Sequence, residues 1–311
     1  MIARRWDRRR VYAALVFIPL FYALVRHAPP LAFFALVAVA ALLSVEEFYR
    51  LYFRDEGLPA AVMTFGFGAT ALILASFQWP GGISERTIVL AIVIGALLHR
   101  LCARRTVTHG LMDPAVVAFG PLYIGLCLGH LLLTRALPDG EFLIFGLFLI
   151  TWAADTGAYY AGTSFGRHKL APVISPNKTV EGLAGGLMAA LLAVFLARAW
   201  FLPVLTVTDC VAVASLLTFS GLLGDLAESA MKRGAGVKDS GGLIPGHGGM
   251  LDRLDSLLFT APFSSMYRSR SKVTESSMKR DTDVNNSGSM FNRLDSLLFT
   301  AIFFYSVSFV K

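Results

Sequence analysis

Apolar residues in this chain gather in long runs, separated by short polar stretches that carry arginine and lysine. The runs fall at residues 11–25, 30–45, 59–79, 87–99, 112–133, 142–163, 179–201 and 207–227, and a last one ends near Val310. Most approach the ~20 apolar residues that a bilayer core requires, the 87–99 run being the shortest. The pattern predicts an all-α polytopic integral membrane protein with about nine transmembrane helices. The first run follows five arginines within residues 1–10 and ends in R-H-A-P-P. No small-residue cleavage site follows it, so it reads as an uncleaved first helix and not as a signal peptide.

Composition agrees. Of 311 residues, 55% are hydrophobic and 16% charged, with a mean hydropathy of +0.62. Soluble domains carry about 25% charged residues. The net charge of +7 raises nucleic acid as a partner. However, the basic residues sit in short clusters between apolar runs, which suits membrane topology and anionic lipid head groups; no nucleic acid is expected. Cys102, Cys127 and Cys210 lie far apart, with neither a disulfide framework nor a zinc spacing. If the N-terminus is cytoplasmic and the runs alternate, the inner segments hold most of the basic residues. The outer ones hold only Arg26, Arg86, Arg135 and Arg198. This positive-inside pattern fixes the expected orientation.

The two halves differ. Residues 1–138 read as an N-terminal transmembrane scaffold with few polar groups inside its runs. His130 reads as a packed helix-interface residue, and Glu46 and Glu47 as interfacial residues at the inner end of the second run. Residues 139–262 read as a catalytic transmembrane region with a site on the cytoplasmic face. Its centre is Asp225–Ser256, D-L-A-E-S-A-M-K-R-G-A-G-V-K-D-S-G-G-L-I-P-G-H-G-G-M-L-D-R-L-D-S. Carboxylates hold a hard cation, Lys and Arg hold phosphate oxygens, and glycines let backbone N–H groups approach them. A solvated hairpin with surface charges is the plain alternative. If residues 225–233 continue the preceding helix, Asp225, Ser229 and Lys232 share a face, with Glu228 beside them. If Asp252 opens the next helix, Asp252 and Asp255 share a face, and their charge suits its N-terminus. Asp225 and Asp252 could then hold one metal site.

At S-A-M-K-R, K-D and P-G-H-G-G-M-L-D-R-L-D the chain resembles the phosphatidate cytidylyltransferases (CDP-diacylglycerol synthases). The resemblance implies a magnesium-dependent enzyme that joins CTP to phosphatidate and releases pyrophosphate. It implies metal binding by Asp225 and Asp252, with a second cation left open. Phosphate binding would fall to Lys232, Arg233, Lys238 and Lys178, and phosphate positioning or proton transfer to His247. Asp239, Arg253, Asp255 and Ser229 join the expected substrate site. The implied location is the bacterial inner (cytoplasmic) membrane, the site facing the cytoplasm among membrane lipids; a homodimer is left open.

Two further segments match that family in order. In W-A-A-D-T-G-A-Y-Y-A-G, Asp155 lies inside an apolar run, where a carboxylate costs ~2.5–3.5 kcal/mol on insertion scales and is functional by default. In S-P-N-K-T-V-E-G, Ser175, Asn177 and Lys178 lie in a loop before the next helix. There Asn177 or Thr179 could cap, and Lys178 at the helix N-terminus could cradle phosphate.

After Ser256 the chain departs from the family. R-L-D-S-L-L-F-T-A at Arg253–Ala261 recurs unchanged at Arg293–Ala301, and E-S-S-M-K-R at Glu275–Arg280 echoes Glu228–Arg233. The second copy lacks L-I-P-G-H-G-G and has Asn285, Asn286 and Asn292 where the first has Lys238, Asp239 and Asp252. Residues 263–292 therefore read as a polar, degenerate-repeat insert without structure of its own, and 293–311 as the closing helix. Two other functions compete: a CTP-dependent lipid-alcohol kinase, which uses similar metal–phosphate chemistry, and a transporter. A transporter would show symmetry between halves, and none is visible.

Overall fold

A computed structural model describes residues 21–55, 57–102, 110–241 and 248–264. All belong to one compact unit, Met1–Ser264. After a short helical stretch at 21–27 come α1 (Pro30–Tyr52), α2 (Ala60–Gln78), α3 (Glu85–Cys102), α4 (Met112–Ala136) and α5 (Gly140–Phe165). A hairpin of β1 (Lys169–Ala171) and β2 (Ser175–Thr179) leads into α6 (Val180–Trp200) and α7 (Val207–Gly234). A final helix, α8, covers 251–264.

Seven expected runs are thus helices among the described residues; most of the first run and all of the last lie outside them. Among the described residues, six helices are long and apolar enough to cross a membrane. The shortest run forms α3, whose 18 residues include Glu85, Arg86 and Arg100. Starts follow local chemistry. Proline, whose φ is already helical, precedes or opens α1 and α2. Thr206 and Asp209 form a capping box on α7. Thr179, one of the two expected caps, accepts from the Gly182 N–H at 3.1 Å at the start of α6.

Two local expectations are corrected. The segment read as a loop before α6 is an antiparallel hairpin, with Lys169 opposite Thr179 and Ala171 opposite Ser175. Pro172 and Pro176 bar a helix there, and backbone pairing satisfies the N–H and C=O groups instead. Glu47, read as interfacial, is only 7% exposed. Glu46 does face outward, on Arg50 at 2.7 Å.

Small residues set the closest crossings. A Cβ on Gly157 of α5 would lie 2.5 Å from the Ala189 Cβ and 2.6 Å from the Gly185 carbonyl of α6, so the two backbones nearly touch. Gly224 of α7 packs against the Asp255 carbonyl of α8 in the same way. These contacts draw the polar ends of α5, α6, α7 and α8 together. The first half is knit by paired polar groups. The Tyr49 hydroxyl donates to the Val117 carbonyl at 2.7 Å, and Arg100 pairs with Asp113 at 3.4 Å while Tyr52 donates to Asp113 at 3.0 Å. His130 packs as expected, its Nδ1 at 2.7 Å from the Leu126 carbonyl and its ring 5.3 Å from Phe77.

Candidate active site

Helix α7 runs unbroken through Arg233, so Asp225, Glu228, Ser229 and Lys232 fall on consecutive turns of one helix. Ser229 Oγ lies 3.4 Å from Asp225 Oδ1, and Lys232 Nζ lies 2.5 Å from Glu228 Oε2. The same ammonium reaches across to Asp252 Oδ1 of α8 at 2.7 Å. Asp252 also accepts from the Ser240 N–H at 3.1 Å and the Gly249 N–H at 2.8 Å. Burial would raise the Asp252 carboxyl, but contacts with Glu228, Lys232 and the Gly249 N–H outweigh it and hold the group below the usual carboxylate range.

A second cluster adjoins the first. Lys178, on β2, forms an ion pair with Asp225. Asp155 of α5 and Asp255 of α8 both interact electrostatically with Lys178 and with Asp225, and with each other. Ser256 donates a hydrogen bond to Asp155. Three carboxylates from three helices therefore lie within electrostatic reach of one ammonium, delivered by the hairpin and paired with Asp225. Asp155 is not covered by other parts of the protein, although it lies within α5.

The sequence-derived residues divide accordingly. Asp155, Lys178, Asp225, Ser229, Lys232, Asp252 and Asp255 come together. Asp225 and Asp252, expected to share one ion, are bound by different lysines. Arg233, Lys238, Asp239 and Arg253 are exposed around them, as is Asn177, while Ser175 is half-buried on β2. His247 lies outside the described residues. Among the described residues, no group of three or more His, Cys, Asp or Glu side chains is arranged to hold a metal ion.

Three participants escaped the sequence reading. Glu47 accepts from Met250 N, Leu251 N and Ser240 Oγ at the start of α8. Helical spacing held a clue, because Val37, Ala41, Ser44 and Glu47 form one buried stripe of α1 that excludes Glu46. The Tyr123 hydroxyl of α4 is buried without a hydrogen-bond partner among the described residues, within electrostatic reach of Asp255 and Glu228. Ser256 had no signal beyond its place beside Asp255.

The Cytidylyltransferase family matches residues 8–270. A Bacillus subtilis protein named phosphatidate cytidylyltransferase is 42% identical over 190 residues, covering 60% of this chain and 70% of its own. A Staphylococcus aureus protein of that name is 35% identical over 254 residues, covering 81% of this chain and 94% of its own. A Staphylococcus haemolyticus one is 39% identical over 199 residues, covering 63% and 75%.

Proposed function

Since the chain belongs to the Cytidylyltransferase family, we propose that it is a phosphatidate cytidylyltransferase of the bacterial inner membrane, working on its cytoplasmic face. A phosphate oxygen of phosphatidate attacks the α-phosphorus of CTP. The bond from that phosphorus to the oxygen bridging the α- and β-phosphates breaks as the new P–O bond forms. Pyrophosphate leaves with the electron pair, and CDP-diacylglycerol remains. Nothing here needs a covalent enzyme intermediate; positioning and charge neutralisation suffice.

The observation that carries this reading is the excess of carboxylate over ammonium. Asp225 pairs with Lys178, while Asp155 and Asp255 lie within electrostatic reach of both, so three carboxylates surround one ammonium. Carboxylate oxygens are the ligand type that a magnesium ion takes. Asp225 and Asp252 would hold it, with Asp155 and Asp255 alongside, and it would neutralise charge on the phosphates. Lys178 sits on a hairpin and not within a helix, so its ammonium can turn from Asp225 to a phosphate oxygen. Lys232 holds Asp252 in place from the neighbouring helix, and Arg233, Lys238 and Arg253, exposed and close in sequence to the cluster, add positive charge. The positive-inside pattern of the basic residues supports the cytoplasmic orientation.

Purified protein with α-labelled CTP and phosphatidate, with and without magnesium, tests the proposal. Label in a CDP-lipid together with released pyrophosphate is expected, only with the ion. Free CDP and a newly phosphorylated lipid would instead identify a lipid kinase.

A further inference from the structure

We propose that Glu47 is a positioning residue for the transfer reaction, holding the start of α8 so that Asp252 and Asp255 face α7. The functional part of this inference rests on the reading above; the structural part does not.

The first N–H groups of a helix have no partner within it. In α8 the chain arrives through Gly248, Gly249 and Met250, none of which has a side chain that can cap. Glu47 supplies what is missing from α1. Its Oε1 accepts from Met250 N at 2.8 Å and its Oε2 from Leu251 N at 2.8 Å, one N–H per oxygen. Ser240 Oγ adds a third bond to Oε2 at 3.1 Å. The carboxylate's charge also suits a helix N-terminus.

The fit is close. A Cβ on Gly241 would stand 2.7 Å from Glu47 Oε1, and a Cβ on Gly249 would meet Glu47 Oε2 and Ser240 Oγ. Asp252 grips the same backbone from the other side, through Ser240 N and Gly249 N. Two carboxylates thus fix Ser240 and residues 249–251 between them, one from the first half of the chain and one from α8 itself. Further along, Tyr123 of α4 packs on Phe259 with ring centroids 6.1 Å apart, and Thr134 Oγ1 meets Ser264 Oγ at 2.7 Å. Helix α8 is therefore held by the first half at its start, middle and end. Only the contact at the start lies within one turn of Asp252. A shift of about 1 Å there moves both aspartates against α7, and misplacement of that size costs about a hundredfold in rate in well-oriented sites.

The test uses full-length protein in nanodiscs, comparing Glu47→Gln and Glu47→Ala with Glu46→Ala, which removes only the outward pair with Arg50. The glutamine keeps the size, but one oxygen becomes an amino group that faces a backbone N–H. Turnover should fall about tenfold in Glu47→Gln and about a hundredfold in Glu47→Ala, with each KM within about threefold of the parent. Glu46→Ala should stay within about twofold. Backbone amide exchange should quicken at 248–256 in both Glu47 variants and stay unchanged elsewhere in the described helices. If Glu47→Ala does not accumulate folded protein, Glu47→Gln alone decides. Parental turnover in Glu47→Gln, or unaltered exchange at 248–256, overturns the proposal. If the parent itself makes no CDP-lipid, the functional reading fails, while the exchange data still judge the clamp.

Discussion

The ion pair and hydroxyls that knit the first four helices are matched one to one, whereas carboxylates of the last four outnumber the ammonium they surround. In the first half Arg100 is answered by Asp113, Tyr49 by the Val117 carbonyl, and Thr70 by the Gly66 carbonyl at 2.8 Å. In the second half Asp155, Asp225 and Asp255 all lie within reach of the single ammonium of Lys178, which pairs with Asp225. Both halves place charge near an apolar interior, where an unbalanced group is expensive. In the first half Arg100 and Asp113 remove that cost by pairing with each other, and they serve the fold. The second retains it, and the proposed magnesium ion would supply the missing positive charge. Buried charge alone does not mark the site; its lack of balance does.

The largest test of this contrast removes carboxylates from the unbalanced side. Asp225→Asn and Asp252→Asn should each lower magnesium-dependent turnover by about a thousandfold or more, since losing a ligand and a charge from a hard-cation site forfeits several kcal/mol. Membrane insertion, followed by fractionation, should be unchanged. Near-parental turnover of both variants at low magnesium would break the comparison at its centre.

A smaller effect is expected on the cationic side. Lys178→Ala should raise the KM for CTP or phosphatidate about tenfold, in line with one lost charge-assisted hydrogen bond, with expression unaffected. Kinetics matching the parent at every substrate level would reduce Lys178 to a topological lysine. The first half supplies the control. Asp113→Asn leaves Arg100 facing a neutral amide. Breaking a buried ion pair costs about 3–5 kcal/mol, so its thermal midpoint should drop clearly. Turnover per folded molecule should stay within about twofold of the parent. A stable Asp113→Asn protein without turnover would show that balanced pairs also serve the chemistry.

Much of this was legible because membrane helices announce themselves by run length, and the metal–phosphate set was dense in one stretch. Continuation of α7 through Arg233 and a helix start near Asp252 were the two conditions under which the spacing brought the carboxylates together, and the structure meets both. The hairpin at 169–179 was not legible. Its strands are short and proline-interrupted, and their pairing is a relation between segments that periodicity within one segment does not reveal. Glu47 was half legible: its place on the buried stripe of α1 could be counted. Its partners lie 193 to 204 residues away, and no local rule connects them. Tyr123 looked like any aromatic residue in an apolar run, because only packing reveals where a hydroxyl points.

The smallest expected effect comes from comparing the two copies of R-L-D-S-L-L-F-T-A. Asp255, in the first copy, interacts with Asp225, Asp155 and Lys178, three residues contributed by other elements. Asp295 has the same neighbours in sequence but lies in a copy with asparagine at positions 285, 286 and 292 and without L-I-P-G-H-G-G. Asparagine brings no anionic charge to a cation, and the missing turn removes backbone N–H groups that could approach phosphate. If charge balance among converging elements makes the site, identical local sequence is not enough. Asp295→Asn should then leave turnover within about twofold of the parent, whereas Asp255→Asn should lower it at least tenfold. Both are read by the labelled-CTP assay on the same membrane preparations. Equal loss in both variants would place the second copy within the site, and equal retention would remove Asp255 from it.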